Sequence, residues 1–292
     1  LSAGFVDRRQ VARRFARAAD SYDRGDFLVR EIDRRMQERL DYVNLQPGRI
    51  VDLGCSRGGS FAGLGARYPE AELLGLDLAP AMLRTEAARP PGWQRWLGLG
   101  RRNEPLRLAA EATQLPLAAK SAALVWSNQM LHWLDDPQPA LAEAHRVLET
   151  GGLLMFSTLG PDTLRELRAA FADGYAHTQR FIDMHDLGDM LVGCGFADPV
   201  MDMEVITLTY DDVDSLFAEL RAAGSSCAMK VRRHGLSGRQ GWLAARAAYE
   251  AMRRDGKLPA TFEVIYGHAW KAAPGKLPDG RAIVRFERPA KY

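Results

Sequence analysis

From Arg8 to about Tyr42, apolar residues recur at helical spacing among many charges: Val11, Phe15, Ala18, Phe27, Leu28, Ile32, Met36 and Leu40. This spacing predicts one or two amphipathic helices ahead of the first strand. The pattern then changes. Gly48-Arg49-Ile50-Val51-Asp52-Leu53-Gly54 reads as a short buried strand running into a glycine turn. Glu72-Leu73-Leu74-Gly75-Leu76-Asp77 reads as a second strand ending in an acid, and Pro80-Ala81-Met82-Leu83 opens another helix. Further strands are expected at 107–109, 123–127 and 153–158, followed by a helix over 186–195 that Gly195 stops. A strand at 203–210, helices at 213–223 and about 241–254, and a last strand at 261–270 complete the series.

Strand and helix alternate, which implies an α/β fold with a mainly parallel sheet and helices on both faces. The chain divides into an N-terminal helical cap segment (1–46), a cofactor-binding core (47–210), a helical insertion contributing to the cap (211–258), and the final strand with a C-terminal tail (259–292). Cap and insertion are expected to roof a substrate pocket.

Composition narrows the function classes. The 292 residues are 47% hydrophobic and 26% charged, as in a globular protein able to bury one substantial core. A formal net charge of +2 gives no global field for nucleic acid, so no nucleic-acid partner is expected. Cys55, Cys194 and Cys227 are scattered without a Cys-x-x-Cys spacing, and His177 and His185 lack a ligand pattern. Neither a disulfide framework nor a metal site is expected, and a reducing cytoplasm fits best. No apolar run approaches bilayer length, so no membrane anchor is expected. The chain starts at Leu1, which leaves a removed targeting segment open.

In an open α/β sheet, ligands collect beyond the carboxyl ends of the strands, where turn glycines permit close backbone approach. Asp52-Leu53-Gly54-Cys55-Ser56-Arg57-Gly58-Gly59 is placed for that job, and Asp77, ending the next strand, suits two ribose hydroxyls. A tight strand-to-helix connection would by itself account for the glycines. The added acid, the Glu111-Ala112-Thr113-Gln114-Leu115-Pro116 segment and the Ser127-Asn128 strand end make coincidence harder.

Together these segments, over residues 48 to 158, resemble the Rossmann-like class I S-adenosylmethionine-dependent methyltransferases. The resemblance implies that Gly54, Cys55 and Gly58 carry the turn past the methionine end of the cofactor and that Asp52 meets its ammonium. It also implies that Glu111 contacts the adenine amino group, that Ala112 offers a backbone donor, that Leu78 and Met82 pack around adenine, and that Ser127 lies near the cofactor. Ser56 stands where such turns usually carry glycine, and Arg57 adds a charge without an assigned role. A dinucleotide would want a longer pyrophosphate-binding fingerprint than this turn, with bulky Cys55 and Arg57 between its glycines.

Phe15-Ala16-Arg17-Ala18-Ala19-Asp20-Ser21-Tyr22-Asp23, Ser127-Asn128-Gln129-Met130-Leu131-His132-Trp133, and residues 156–167 resemble the malonyl-acyl-carrier-protein O-methyltransferases of biotin synthesis. That likeness implies a malonyl-bearing acyl carrier protein as partner, with Tyr22 closing over the reacting groups and His132 and Trp133 beside the pocket. Packing or hydrogen bonding alone would also explain these three residues. Arg165, Arg168, Lys230, Arg232 and Arg233 are candidates for a basic docking rim, although a solvated charged face is the more common reading of any one such arginine. The turn at 54–58, Leu131-His132-Trp133, Asp162-Thr163-Leu164, His185-Asp186-Leu187-Gly188 and Pro259-Ala260-Thr261 also resemble a mitochondrial complex I assembly factor associated with arginine hydroxylation. Its partner would be a respiratory complex I subunit, and a cofactor-binding assembly protein without methyl transfer is a third reading.

Overall fold

The computed structural model describes residues 5–84, 104–171, 173–235 and 238–273. Two helices, α1 (Arg8–Ala18) and α2 (Phe27–Arg39), precede β1 (Arg49–Leu53), and a single 3-10 turn, Tyr22–Arg24, joins them. Then come α3 (Phe61–Arg67), β2 (Glu72–Asp77), β3 (Leu106–Ala109), β4 (Ala122–Asn128), α4 (Gln138–Val147) and β5 (Leu148–Leu159). The chain continues through α5 (Arg165–Ala170), α6 (Met184–Gly193), β6 (Ala197–Tyr210), α7 (Val213–Ala222), α8 (Arg239–Glu250) and β7 (Leu258–Trp270). Residues 80–83, expected to open a helix, form a turn; the continuation past 84 and the tail past 273 lie outside the described residues.

The strands form one sheet in the order β3-β2-β1-β4-β5-β7-β6. Pairing is parallel from β3 to β5 and antiparallel where β7 inserts between β5 and β6. The winding reverses between β1 and β4, so a crevice is expected beyond the carboxyl end of β1, at the 54–59 turn. Strand alternation sends Leu124 and Trp126 to one face, against Ile32, Met36 and Leu64, and Val125 to the other, against Leu141, Val147 and Leu191.

Helix ends follow local chemistry. Asp7 caps α1 by accepting from the Gln10 amide at 3.2 Å, and Asp212 caps α7 by accepting from Ser215 at 2.8 Å. Gly195, at φ +90°, closes α6: its own amide returns to Val192 and that of Phe196 to Leu191. The largest departure from the expected boundaries is β6, which begins at Ala197 rather than 203. Asp198, Pro199 and Asp202 look like loop in sequence, but β6 is an edge strand, and the register shifts between Ala197 and Val200.

The first cap segment and the insertion are built as one roof. Val6 bridges Met229, the Asp7 amide donates to Ala228 at 2.9 Å, and Ser21 Oγ donates to Ala222 at 3.2 Å. Gly25 lies so close to the end of α7 that a Cβ there would sit 2.7 Å from both the Ala223 nitrogen and the Glu219 oxygen. Arg57 fastens this roof to the glycine turn, donating to the Ala19 carbonyl at 3.0 Å and pairing with Asp23 at 3.0 Å.

Candidate cofactor and substrate site

Two cavities meet beyond the carboxyl end of β1. One, of about 570 Å³, runs along the turn and is lined by Asp52, Gly54, Cys55, Gly58, Ser60 and Asp33. The other, of about 360 Å³, is bordered by Asp77, Leu78, Glu111, Ala112, His132 and Trp133 and reaches under the roof. Tyr22, Val29, Gly54, Ser56 and Asn128 border both cavities, so Tyr22 stands at their junction.

The turn is held open by its backbone. Gly54 has φ +76°, and a Cβ there would lie 2.5 Å from the Met130 side chain; Gly58, at φ +82°, has Phe61 equally close. Ser56 takes the left-handed conformation at φ +48° despite its side chain, and its amide donates to Asp77 Oδ2 at 2.9 Å. The Ala79 amide donates to Asp77 Oδ1 at 2.8 Å. Asp77 thus ties β2 to the turn and keeps lone pairs for a ligand. Burial raises its carboxyl above the usual carboxylate range.

Asp52 is 2% exposed, and its Oδ2 has no hydrogen-bond partner. Burial, then the nearby charges of Asp33 and Asp77, push its carboxyl well above the usual range. What this corner lacks is a cation with N–H donors, and an amino-acid ammonium fits it.

Asp33 is a site residue the sequence reading did not find. Its buried Oδ1 accepts from Ser60 Oγ at 2.6 Å and from Trp126 Nε1 at 3.2 Å, joining α2 to β4 and the start of α3. Within an amphipathic helix rich in charges, nothing marks Asp33 as the inward-facing one. At the Ser127-Asn128 strand end, the resemblance gives the cofactor-side role to Ser127, and the structure turns Asn128 toward the cavities instead. Ser127 lines neither cavity; its hydroxyl turns into the sheet and donates to Leu53 at 3.2 Å. Asn128, one residue on, faces α2: Nδ2 donates to Val29 at 2.9 Å, and Oδ1 accepts from Ser157 at 2.8 Å. Met82 lines neither cavity either, being fully buried beside Tyr22, Ala19 and Ala79. Cys55 borders the first-named cavity while its sulfur packs toward Gly75, and burial pushes its thiol up. Glu111 borders the second cavity with its carboxylate paired to Arg8 of α1.

His132 is 7% exposed, with Nδ1 3.3 Å from Thr158 Oγ1 and its ring tilted against Trp133 and Phe181. Burial pushes its pKa down from 6.5 to about 3, so the imidazole is neutral near pH 7. The unfolded chain binds a proton here below about pH 6.5 and the folded chain does not, so His132 withdraws stability as pH falls from 6.5 toward 3. Thermal unfolding between pH 7 and pH 4 should therefore be less acid-sensitive in His132→Gln than in the parent. Parallel Tm profiles for the two proteins would refute the neutral, buried assignment. Trp133 packs edge-on to Phe15, with ring centroids 5.0 Å apart, and joins Val6, Val11 and Met229 in the roof.

Among the described residues, no group of three His, Cys, Asp or Glu side chains could hold a metal, and no helix is long and apolar enough to cross a membrane.

A family model described as a methyltransferase domain matches residues 51–156. A malonyl-[acyl-carrier protein] O-methyltransferase of Laribacter hongkongensis is 50% identical over 97% of each chain. One of Gallionella capsiferriformans is 49% identical over 96% of each, and one of Legionella pneumophila 40% identical over 93% of each. The YcgJ protein of Bacillus subtilis shares the fold, with a TM-score of 0.55 at 14% identity over 82% of this chain and 99% of that one.

Proposed function

From the premise that this chain belongs to the malonyl-[acyl-carrier protein] O-methyltransferases, within the class I S-adenosylmethionine-dependent methyltransferases, we propose that it esterifies the free carboxylate of a malonyl group on acyl carrier protein. The observation that carries this reading is identity near one half over almost the whole length of relatives bearing that name, cap and insertion included.

S-adenosylmethionine is the cofactor, and when bound it supplies an electrophilic methyl group on a positively charged sulfur. We assign Asp52 to its ammonium, the backbone of Gly54, Cys55 and Gly58 to its amino-acid end, Asp77 to the ribose hydroxyls, and Leu78, Glu111 and Ala112 to the adenine side. To Tyr22, which borders both cavities, we assign closure over the reacting groups. Burial pushes its hydroxyl up to about 12, so it stays protonated and can donate a hydrogen bond but not remove a proton.

No proton needs removing. A malonyl carboxylate is ionised near neutral pH, so the protein's task is to align it, exclude water and keep competing charge away. A neutral His132 and a neutral Tyr22 meet that last requirement.

The carrier is acidic, and its docking face is read differently from the sequence expectation. Arg165 pairs with Asp162 at 3.6 Å, Arg168 donates to backbone carbonyls, Arg232 pairs with Asp7 at 3.5 Å, and Arg233 pairs with Asp173 at 3.8 Å. Of the five candidates, Arg165, Lys230 and Arg233 are exposed, whereas Arg168 and Arg232 are half-buried. Helix α1 adds exposed Arg9, Arg13 and Arg17 and contains no acid, giving a basic face on the roof that suits an acidic carrier.

Incubation with S-adenosylmethionine and malonyl carrier, read by intact mass, tests the reading. One methyl should be added to malonyl carrier and none to acetyl carrier, which presents no free carboxylate. The product should lose the methyl on mild alkaline hydrolysis. A folded, cofactor-binding protein that leaves the malonyl carrier unchanged would defeat the proposal.

A further inference from the structure

After α5 the chain lines the cavity beneath the roof with His177, Thr178 and Gln179. Gln179 is 7% exposed. The insertion fixes this stretch: Cys227 Sγ donates to the Thr178 carbonyl at 3.2 Å, and Gln179 Nε2 donates to the Ser226 carbonyl at 3.4 Å. The second contact sets which way the amide faces, because a flip would press two oxygens together. Gln179 Oε1 is then left buried without a donor. Buried acceptors are normally satisfied, so this position is complete only when a ligand brings an N–H or O–H.

The cofactor's own donors are claimed elsewhere. Asp77 ends β2 and Glu111 follows β3, on one side of the β1–β4 switch point, whereas residues 173–183 follow β5 on the other. The malonyl carboxylate and the thioester carbonyl are acceptors and cannot satisfy a carbonyl oxygen. In a carrier-bound thioester the nearest donor is the amide N–H two methylenes from the sulfur, on the pantetheine arm. Phe181, Phe217 and Leu220 line the same cavity and suit the arm's methylenes.

We propose that Gln179 accepts a hydrogen bond from that amide, which makes the 177–181 and 225–227 segments the subsite for the carrier's arm. The proposal rests on the carrier-thioester reading and adds a recognition point to it. A substrate-side substitution isolates the contact: the malonyl thioester of N-acetylcysteamine carries the N–H, and that of 2-mercaptoethyl acetate puts an ester oxygen in its place. With saturating S-adenosylmethionine, the wild type should prefer the amide about tenfold in kcat/KM, the discrimination typical of one buried hydrogen bond. Gln179→Met should bring the ratio to within about twofold by losing rate on the amide alone, with cofactor affinity unchanged. Gln179→Leu, which likewise removes the acceptor, should also bring the ratio to within about twofold and serves if the methionine variant does not fold.

A wild-type ratio near one overturns the proposal, and so does a preference that survives in Gln179→Met. Methylation of malonyl carrier but of neither small thioester also overturns it, because recognition would then lie on the carrier surface. If the wild type methylates neither the carrier nor the thioesters, the failure belongs to the carrier reading itself.

Discussion

Replacing Asp77 with alanine is expected to weaken S-adenosylmethionine binding by about a hundredfold or more, with the fold retained. A charged acceptor contributes about 1.5–3 kcal/mol per hydrogen bond, so losing two ribose contacts amounts to at least about 3 kcal/mol, or two decades in affinity. The same carboxylate accepts from the Ser56 and Ala79 amides at 2.9 and 2.8 Å, so alanine also loosens the turn assigned to the cofactor's amino-acid end. Asp77→Asn separates the two effects: it keeps one oxygen acceptor for the turn and loses the charge. Because burial already disfavours the charged form of Asp77, neutralising it should cost the cofactor-free protein little stability. Titration calorimetry with thermal unfolding reads both quantities. A folded Asp77→Ala protein of unchanged affinity would remove Asp77 from the site.

The parts of this site that could be read from sequence are those where one backbone constraint leaves one chemical mark. A buried parallel strand reads as an apolar run, and its carboxyl end must turn sharply, so Gly54, Gly58, Asp52 and Asp77 stand out. Which of two neighbouring strand residues faces a cavity depends on parity, which leaves no chemical mark. Side chains alternate across a sheet, so of two adjacent residues at the end of β4 Ser127 turns into the sheet and Asn128 borders both cavities. Contacts between distant segments left no local mark. Arg57 looks like a surplus charge in the turn until Ala19 and Asp23 are brought over it, and Gly25 looks like a helix spacer until α7 ends against it. The late segments that resemble the arginine-hydroxylating assembly factor include residues with a structural role here. Thr163, for example, exchanges hydrogen bonds with the Glu263 backbone in β7, a contact that fixes the fold and names no substrate. Relatives 49% and 50% identical over nearly the whole chain carry the methyltransferase name.

The cap gives the second large effect. Tyr22→Ala is expected to lower kcat for methyl transfer by about a hundredfold while changing S-adenosylmethionine affinity by much less. Tyr22 is buried against Ala19, Ala79 and Met82, and Arg57 holds its 3-10 turn in place through Ala19 and Asp23. The ring therefore closes the junction of the cavities as a fixed part of the roof. Removing it admits water where the carboxylate must be aligned, and a displacement of about 1 Å between reacting groups is enough for a hundredfold loss. Affinity is assigned instead to Asp52, Asp77 and the turn, which the substitution leaves in place. Deleting a buried aromatic ring also costs about 3–5 kcal/mol of stability, so the comparison belongs at a temperature well below the variant's own Tm. Tyr22→Phe keeps the ring and loses the hydroxyl that faces Ser56, and should retain most of the rate if closure is what matters. Turnover and calorimetric affinity measured on the same preparations decide between the two roles. Equal losses in kcat and affinity for Tyr22→Ala would make Tyr22 a support of the cofactor site. A phenylalanine variant as slow as the alanine one would move the weight from the ring to the hydroxyl.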